Sequence, residues 1–252
     1  MKNQKFVVLF LGFFLLLGVV SCRTIPISEL SQDDGISRIR NNFEEKNWTD
    51  VISNVDEYKA RYPYSKNIPE AELIQANAYY LSGKYPEAIA AYEDFARKNP
   101  IDKNVPLAYY RIANSYDLEA PEEIDREQAS AKKAISGYQY YVKNYANDVH
   151  VTESKERIKI LTRRLAENEL FIARFYWRKD LYSAALARYL GILKNYSQFN
   201  DLKEEAKERS AVCYEELADI LEDDPESDKF LEFKGKKPED LRNKAQEMRS
   251  AQ

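Results

Sequence analysis

The sequence predicts an all-α protein, a solenoid of about five stacked helical hairpins, and three observations carry that prediction. Glycine is scarce: the 252 residues hold 7, and two of them, Gly12 and Gly18, lie near the N-terminus. So few positions suited to positive φ argue against a turn-rich all-β chain and against glycine-built phosphate loops. Second, from Ile36 onward helical stretches alternate with short breaks at Arg61-Tyr62-Pro63, Asn99-Pro100 and Asn195-Tyr196-Ser197. No window sustains the alternation of a strand. Third, small Ala and large Tyr residues return in a common register.

The first segment is an address. Lys2 and Lys5 precede an unbroken apolar run from Phe6 to Val20. A spanning helix needs roughly 20 apolar residues, so this shorter run reads as a signal-peptide core. It ends Val19-Val20-Ser21-Cys22, an order that resembles the bacterial lipobox, in which the Cys is lipidated and becomes the first mature residue. A plain signal peptide with an incidental Cys is the alternative. Residues 1–21 are thus expected to be removed, and 22–35 to form a lipid-anchored tether. Because one acyl chain binds a membrane only reversibly, the resemblance to multiply acylated lipoproteins implies a durable anchor. Arg23, where Asp would signal inner-membrane retention, favours the outer membrane. Loss of Lys2 and Lys5 leaves a formal charge of −6, which offers no polybasic adhesion to lipid.

Residues 36–252 are predicted to form the hairpin array, divided into an N-terminal half, 36–147, and a C-terminal half, 148–252. Ile39 and Phe43 belong to the first helix; Trp48, Val51, Val55 and Pro63 mark the second. The clearest window is Pro69 to Pro100. Ala76, Tyr79, Gly83, Tyr85, Ala88, Tyr92 and Pro100 there fall at the spacings of a tetratricopeptide (TPR) repeat, a helix-turn-helix unit of about 34 residues. Ala76 and Ala88 let two helices approach closely, Tyr79 and Tyr92 fill the groove between units, Gly83 closes one helix and Pro100 stops the next. Tyr109, Ile112, Ala113 and Tyr116 repeat the register. An insertion around Ala120-Pro121-Glu122-Glu123 delays the partner helix, which carries Ala134, Tyr138 and Tyr141. Residues 148–168 are an extended approach to a fourth unit, with Ala173, Tyr176, Tyr182, Ala185 and Tyr189. Ala211 and Tyr214 open a fifth. Terminal units are degenerate, as caps are.

This register assigns Tyr79, Tyr92, Tyr116, Tyr138, Tyr176, Tyr189 and Tyr214 to packing rather than to a stacking platform for sugars or bases. Trp177 is expected at the surface. Cys213, between Val212 and Tyr214, reads as a buried, inert thiol. A lone histidine, His150, excludes multi-histidine metal sites and makes a His-based triad improbable. The acidic runs at 122–125 and 222–226 lack the spacing of a calcium loop. No metal and no cofactor is expected, and a pI near 5.4 gives no footprint for nucleic acid. These observations point to a binding protein, not an enzyme.

The lipobox, Arg61-Tyr62-Pro63, Asp125-Arg126 ahead of an Ala-rich helix, Arg164-Leu165-Ala166 with Glu169, and Arg188 before Leu193-Lys194-Asn195-Tyr196 are one ordered set. From about Arg38 to about Phe199 this set resembles the BamD family, lipoprotein subunits of the β-barrel assembly machinery. The C-terminal third departs from the family in its charged interruptions, Glu222 to Glu226 and Lys234 to Pro238. The resemblance implies a non-enzymatic protein on the periplasmic face of the outer membrane. It implies that the C-terminal half binds a POTRA domain of the barrel-forming subunit, and that the N-terminal half receives unfolded outer membrane proteins. Arg188 is carried into the partner surface, where a guanidinium could hold an acidic POTRA residue, or else pair within the array. Asp125 and Arg126 are expected to brace the insertion.

A TPR array presents a concave face from its first helices. Repeat position 9 holds Arg40, Asn77 and Asn114; position 12 holds Phe43, Tyr80 and Asp117; position 5 holds Ile36, Leu73 and Tyr110. Asn side chains there can both donate to and accept from an extended peptide backbone. Leu73, Tyr80 and Tyr110 would meet aromatic residues of a strand, Phe43 flanks them, and Arg40 could meet a carboxylate. Solvated Asn77 and Asn114 are the bland alternative. A pilot or scaffold lipoprotein for a secretin or for cell-wall assembly is the competing function, and a glycan-binding or lytic lipoprotein a remote third.

Overall fold

The computed structural model describes residues 25–225, Phe233 and 235–250. The expected signal peptide and Cys22 lie outside the described residues. Among those described, every regular element is helical, and ten α-helices follow one short 3₁₀ turn. Two compact units divide at Ile74 and Gln75.

The first unit contains the 3₁₀ turn Ile27–Glu29, α1 (Gln32–Glu44), α2 (Trp48–Arg61) and the start of α3 (Ile68–Leu81). Ser31 caps α1 by accepting from the Asp34 N–H at 3.2 Å, as the loose amides of a first turn require. Lys46, with φ at 61°, makes the left-handed turn into α2, and Phe43 meets Trp48 edge-on across it at 5.3 Å. Ile36, Ile39, Val51, Val55 and Tyr58 form the buried seam. Gly35 is needed there, because a Cβ would come 3.0 Å from the Tyr58 ring. Packed structure is present ahead of the expected start at Ile36. Ile27 is fully buried, and the Glu57 carboxylate accepts the N–H groups of Ile27 at 3.2 Å and Ser28 at 2.9 Å. Those bonds fold the latter part of the expected tether onto α2.

The second unit runs from the C-terminal turns of α3 through α4 (Tyr85–Lys98), α5 (Val105–Glu119), α6 (Ala129–Asn144), α7 (Val151–Trp177), α8 (Tyr182–Asn195), α9 (Asn200–Asp223) and α10 (Pro238–Ser250). From α4 onward each helix packs on the next. Gly83, at φ 75°, ends α3 in the left-handed conformation open to glycine. Proline in the first turn opens α4 and α5, where its missing N–H costs nothing. The extended approach to the fourth hairpin is one continuous helix of 27 residues, with no Gly or Pro to interrupt it.

Tyr92, Tyr138 and Tyr189 are fully buried and Tyr214 nearly so, whereas Tyr79, Tyr116 and Tyr176 are half-buried. Trp177 is not at the open surface. It is half-buried, edge-on to Tyr182 at 4.9 Å and beneath the Arg209 guanidinium at 5.7 Å. Cys213 is fully buried, and burial pushes its thiol up to about 12. Bracing of the 120–128 insertion comes from elsewhere than the side chains of Asp125 and Arg126. Arg164 donates to the Pro121 carbonyl at 3.1 Å and Asn168 to that of Ile124 at 2.6 Å. Gln128 closes the loop on itself through Glu123 and Arg126. Arg126 takes part through its backbone, while its side chain makes an exposed 3.7 Å contact with Glu123.

Candidate peptide-binding site

In the first unit the expected ligand residues are Arg40, Phe43 and Leu73. Arg40 lies on α1 and spends its guanidinium on Glu70 of α3, with paired contacts of 2.6 and 2.7 Å. That bond raises the Arg40 pKa and lowers that of Glu70. Phe43 is half-buried against Trp48, and Leu73 is half-buried on α3. Elsewhere in this unit a polar cleft of about 790 Å³ opens between the N-terminal segment and α1–α2, lined by Arg38, Asn41, Asn42, Asp50 and Asn54. Sequence spacing gave no sign of it, because its residues share no repeat position.

The second unit gathers Asn77, Tyr80, Tyr110 and Asn114 around a hydrogen-bonded chain. Asn77 accepts from the Tyr92 hydroxyl at 2.6 Å. The Tyr80 hydroxyl donates to Asn114, whose amide donates in turn to the Tyr138 hydroxyl at 2.9 Å. Tyr138 donates to Asp117 at 3.1 Å, and Arg157 of α7 closes on both Asp117 oxygens at 2.7 Å. The two asparagines are therefore not simply solvated. Their repeat position aims them at tyrosines of the helical pairs, and Asn114 uses both ends of its amide there. Tyr110 is buried and stacks flat on His150, with ring centres 4.0 Å apart. Burial raises the pKa values of Tyr110 and Tyr138, so both remain hydroxyl donors at neutral pH.

Arg111 was not among the expected site residues. It lies beside Tyr110, and its guanidinium carbon is 4.2 Å from the Tyr80 ring centre. The sequence signal was one cation directly after Tyr109-Tyr110, too short a pattern to show which rings it would reach. Arg188, the expected partner residue, reaches back from α8 to Glu169 of α7 at 2.8 Å and remains partly exposed.

A profile of outer membrane lipoproteins, YfiO, matches residues 35–223, which runs from the first turn of α1 to the end of α9. The chain belongs to the YfiO family. Curated relatives are named outer membrane protein assembly factor BamD. That of Caulobacter vibrioides is 24% identical over 168 residues, 67% of this chain and 53% of the relative. That of Pasteurella multocida is 24% identical over 171 residues, 68% and 55% of the two chains. The Vibrio cholerae protein is 23% identical over 196 residues, 73% and 81%. The chain spans about half the length of the first two relatives. A solved TPR2AB-domain complex of yeast Sti1 with an HSP90 peptide is 17% identical with a TM-score of 0.45, covering 85% of this chain and 83% of that one. The YfiO match contains both the asparagine–tyrosine chain and Arg188, while α10 lies beyond it.

Proposed function

We propose that this chain is a subunit of the β-barrel assembly machinery, anchored through lipid on Cys22 to the periplasmic face of the outer membrane. It acts by binding, not catalysis. The observation that carries this reading is the YfiO match across residues 35–223, supported by relatives named as assembly factors. Unfolded outer membrane proteins are received on the face that carries Asn77, Tyr80 and Asn114, with Arg40, Phe43 and Leu73 as the corresponding candidates in the first unit. Tyr110, expected to meet the client, is buried against His150 and serves packing. The hydrogen-bonded tyrosines support this role, because a face held rigid before binding loses less entropy when a peptide settles on it.

A POTRA domain of the barrel-forming subunit is received in the C-terminal half, with Arg188 as its anchor. Glu169 fixes that guanidinium in one direction, and its exposed part is free to meet a carboxylate of the partner. Tagged protein purified from membranes should bring down a POTRA-containing barrel protein, and Arg188→Ala should reduce the yield. Undiminished recovery with Arg188→Ala removes the residue from the interface. Recovery of a secretin or cell-wall complex in place of the barrel protein overturns the function itself.

A further inference from the structure

The three most exposed large apolar side chains among the described residues all stand on turns that join one hairpin to the next. Tyr64, between α2 and α3, is 99% exposed; Ile101, between α4 and α5, 98%; and Val149, between α6 and α7, 85%. Single apolar residues scattered over a surface need no explanation, but the same exposure at equivalent turns does. Ile101 and Val149 belong to the second unit and stand at one end of its helices. Tyr109, one turn into α5, meets Tyr140 near the end of α6 at 4.8 Å and Tyr145 just beyond it at 5.9 Å. Tyr140 is 45% exposed, and the other two rings are half-buried. The charges around these turns are sorted by sign. Asp102 spends its carboxylate on the backbone N–H and the side-chain amide of Asn104, at 2.8 and 2.9 Å. Asp148 accepts from the Tyr141 hydroxyl and from the His150 N–H at 3.3 Å. Lys103, two residues after Ile101, and Lys143, in the last turn of α6, are left exposed. Apolar tips, tyrosine rings and cations on one edge match the layers of a bilayer surface, where tips reach the acyl boundary, rings sit among headgroups and cations face lipid phosphates.

We infer that the edge of the second unit carrying Ile101, Tyr140 and Val149 rests on the lipid surface, with the two apolar tips inserted at the headgroup boundary. The inference rests on the reading of Cys22 as a lipid anchor, which brings the chain to a bilayer. The edge adds a second contact, one that fixes how this unit faces the membrane.

The test reconstitutes the intact lipoprotein into vesicles of phosphatidylethanolamine and phosphatidylglycerol that include a lipid with a nitroxide on its acyl chain. A thiol-reactive fluorophore is placed at Asn147→Cys, beside Val149, or at Lys84→Cys, at the opposite end of α4 from Ile101. The buried Cys213 escapes labelling. The label at 147 should be quenched several times more strongly than the label at 84. Ile101→Ser with Val149→Ser, both at exposed positions, should bring 147 down to the level of 84. Equal quenching at the two positions in protein that floats with the vesicles, including none at either, overturns the inference and leaves the anchor standing. Quenching at 147 that survives the double replacement overturns the assignment to the tips. A label at 147 shielded from iodide but not quenched by lipid reveals a protein on this edge, such as a second copy of the chain, and overturns the bilayer as its occupant. Failure to float with the vesicles overturns the anchor reading and this inference together.

Discussion

The second unit contains two cores built on opposite principles. Around α5, α6 and α7 the buried residues include Tyr110, Tyr138 and Tyr141, and the hydroxyl of Tyr138 joins Asn114, Asp117 and Arg157 in one polar chain. Around α8, α9 and α10 the core is mainly aliphatic, with Leu170, Leu186, Ile192, Leu217, Leu221 and Leu241. The aromatic rings it buries, Tyr189, Phe199, Tyr214 and Phe233, sit among them with no polar chain among the described residues. Tyr138 and Tyr189 hold the same repeat position, yet the buried Tyr189 hydroxyl has no partner among the described residues. Two glycines show the same contrast. A Cβ on Gly137 would come 2.9 Å from the Cβ of Ala113, while one on Gly191 would meet nothing within 4 Å. The first region is fixed by directional bonds and a close helix approach; the second by burial of area, which tolerates exchange of shape. Register is specified in one and left to packing in the other.

The largest break should come from the ion pair under the first core. Asp117 is 5% exposed and depends on Arg157 for two contacts of 2.7 Å. Arg157→Met leaves that carboxylate buried beside a tyrosine hydroxyl, and breaking such a pair costs about 3–5 kcal/mol. Urea unfolding should show this loss, and adding Asp117→Asn should recover part of it, since the double variant no longer buries a lone charge. A loss below about 1 kcal/mol would mean that water reaches Asp117 and that the region is not held by this bond.

How far these cores were legible in the sequence follows the same divide. Tyr92, Tyr138 and Tyr189 could be assigned to packing because repeat spacing fixes which face a residue occupies. Their hydroxyl partners could not. Asp117 and Arg157 are 40 residues apart, and Arg40 and Glu70 are 30 apart. No periodicity reports pairings at that range. Asn77 and Asn114 were legible as residues of one repeat position, but position alone does not show that a tyrosine will claim the amide. The early start of the fold at Ile27 was hidden because one short turn contains too few apolar residues to show a period. The bracing of the insertion was hidden for a different reason: Arg164 and Asn168 bind backbone carbonyls, which any sequence supplies.

A smaller effect separates the equivalent tyrosines. Tyr138→Phe removes a hydroxyl that serves Asn114 and Asp117 and should cost about 1–2 kcal/mol. Tyr189→Phe removes a buried hydroxyl that bonds to nothing described and should be neutral or slightly stabilising. Denaturation at neutral pH compares the two directly, and equal losses would erase the distinction between the cores. The alkaline limb gives a second reading. Burial raises Tyr189 to about 12, so the folded state keeps a proton that an unfolded tyrosine surrenders from about pH 10. Its contribution is intact below that pH and is lost as pH climbs toward 12. Tyr189→Phe should therefore flatten the fall in stability across that window.

The smallest effect belongs to the most conspicuous contacts of the aliphatic region. On α10, Arg249 bridges Glu208 at 3.3 Å and Glu215 at 2.9 Å, and Arg242 reaches Asp219 at 2.7 Å and also Glu222. All are solvent-exposed, where water and salt screen the attraction and holding long side chains costs entropy. Replacing both arginines by glutamine should leave the melting temperature unchanged, whereas Leu241→Ala, one residue from Arg242 and fully buried, should lower it by several degrees. A large drop from the double arginine replacement would show α10 to be held electrostatically. The division would then lie between buried and exposed polar bonds, and the aliphatic core would no longer stand as the counterexample to the tyrosine one.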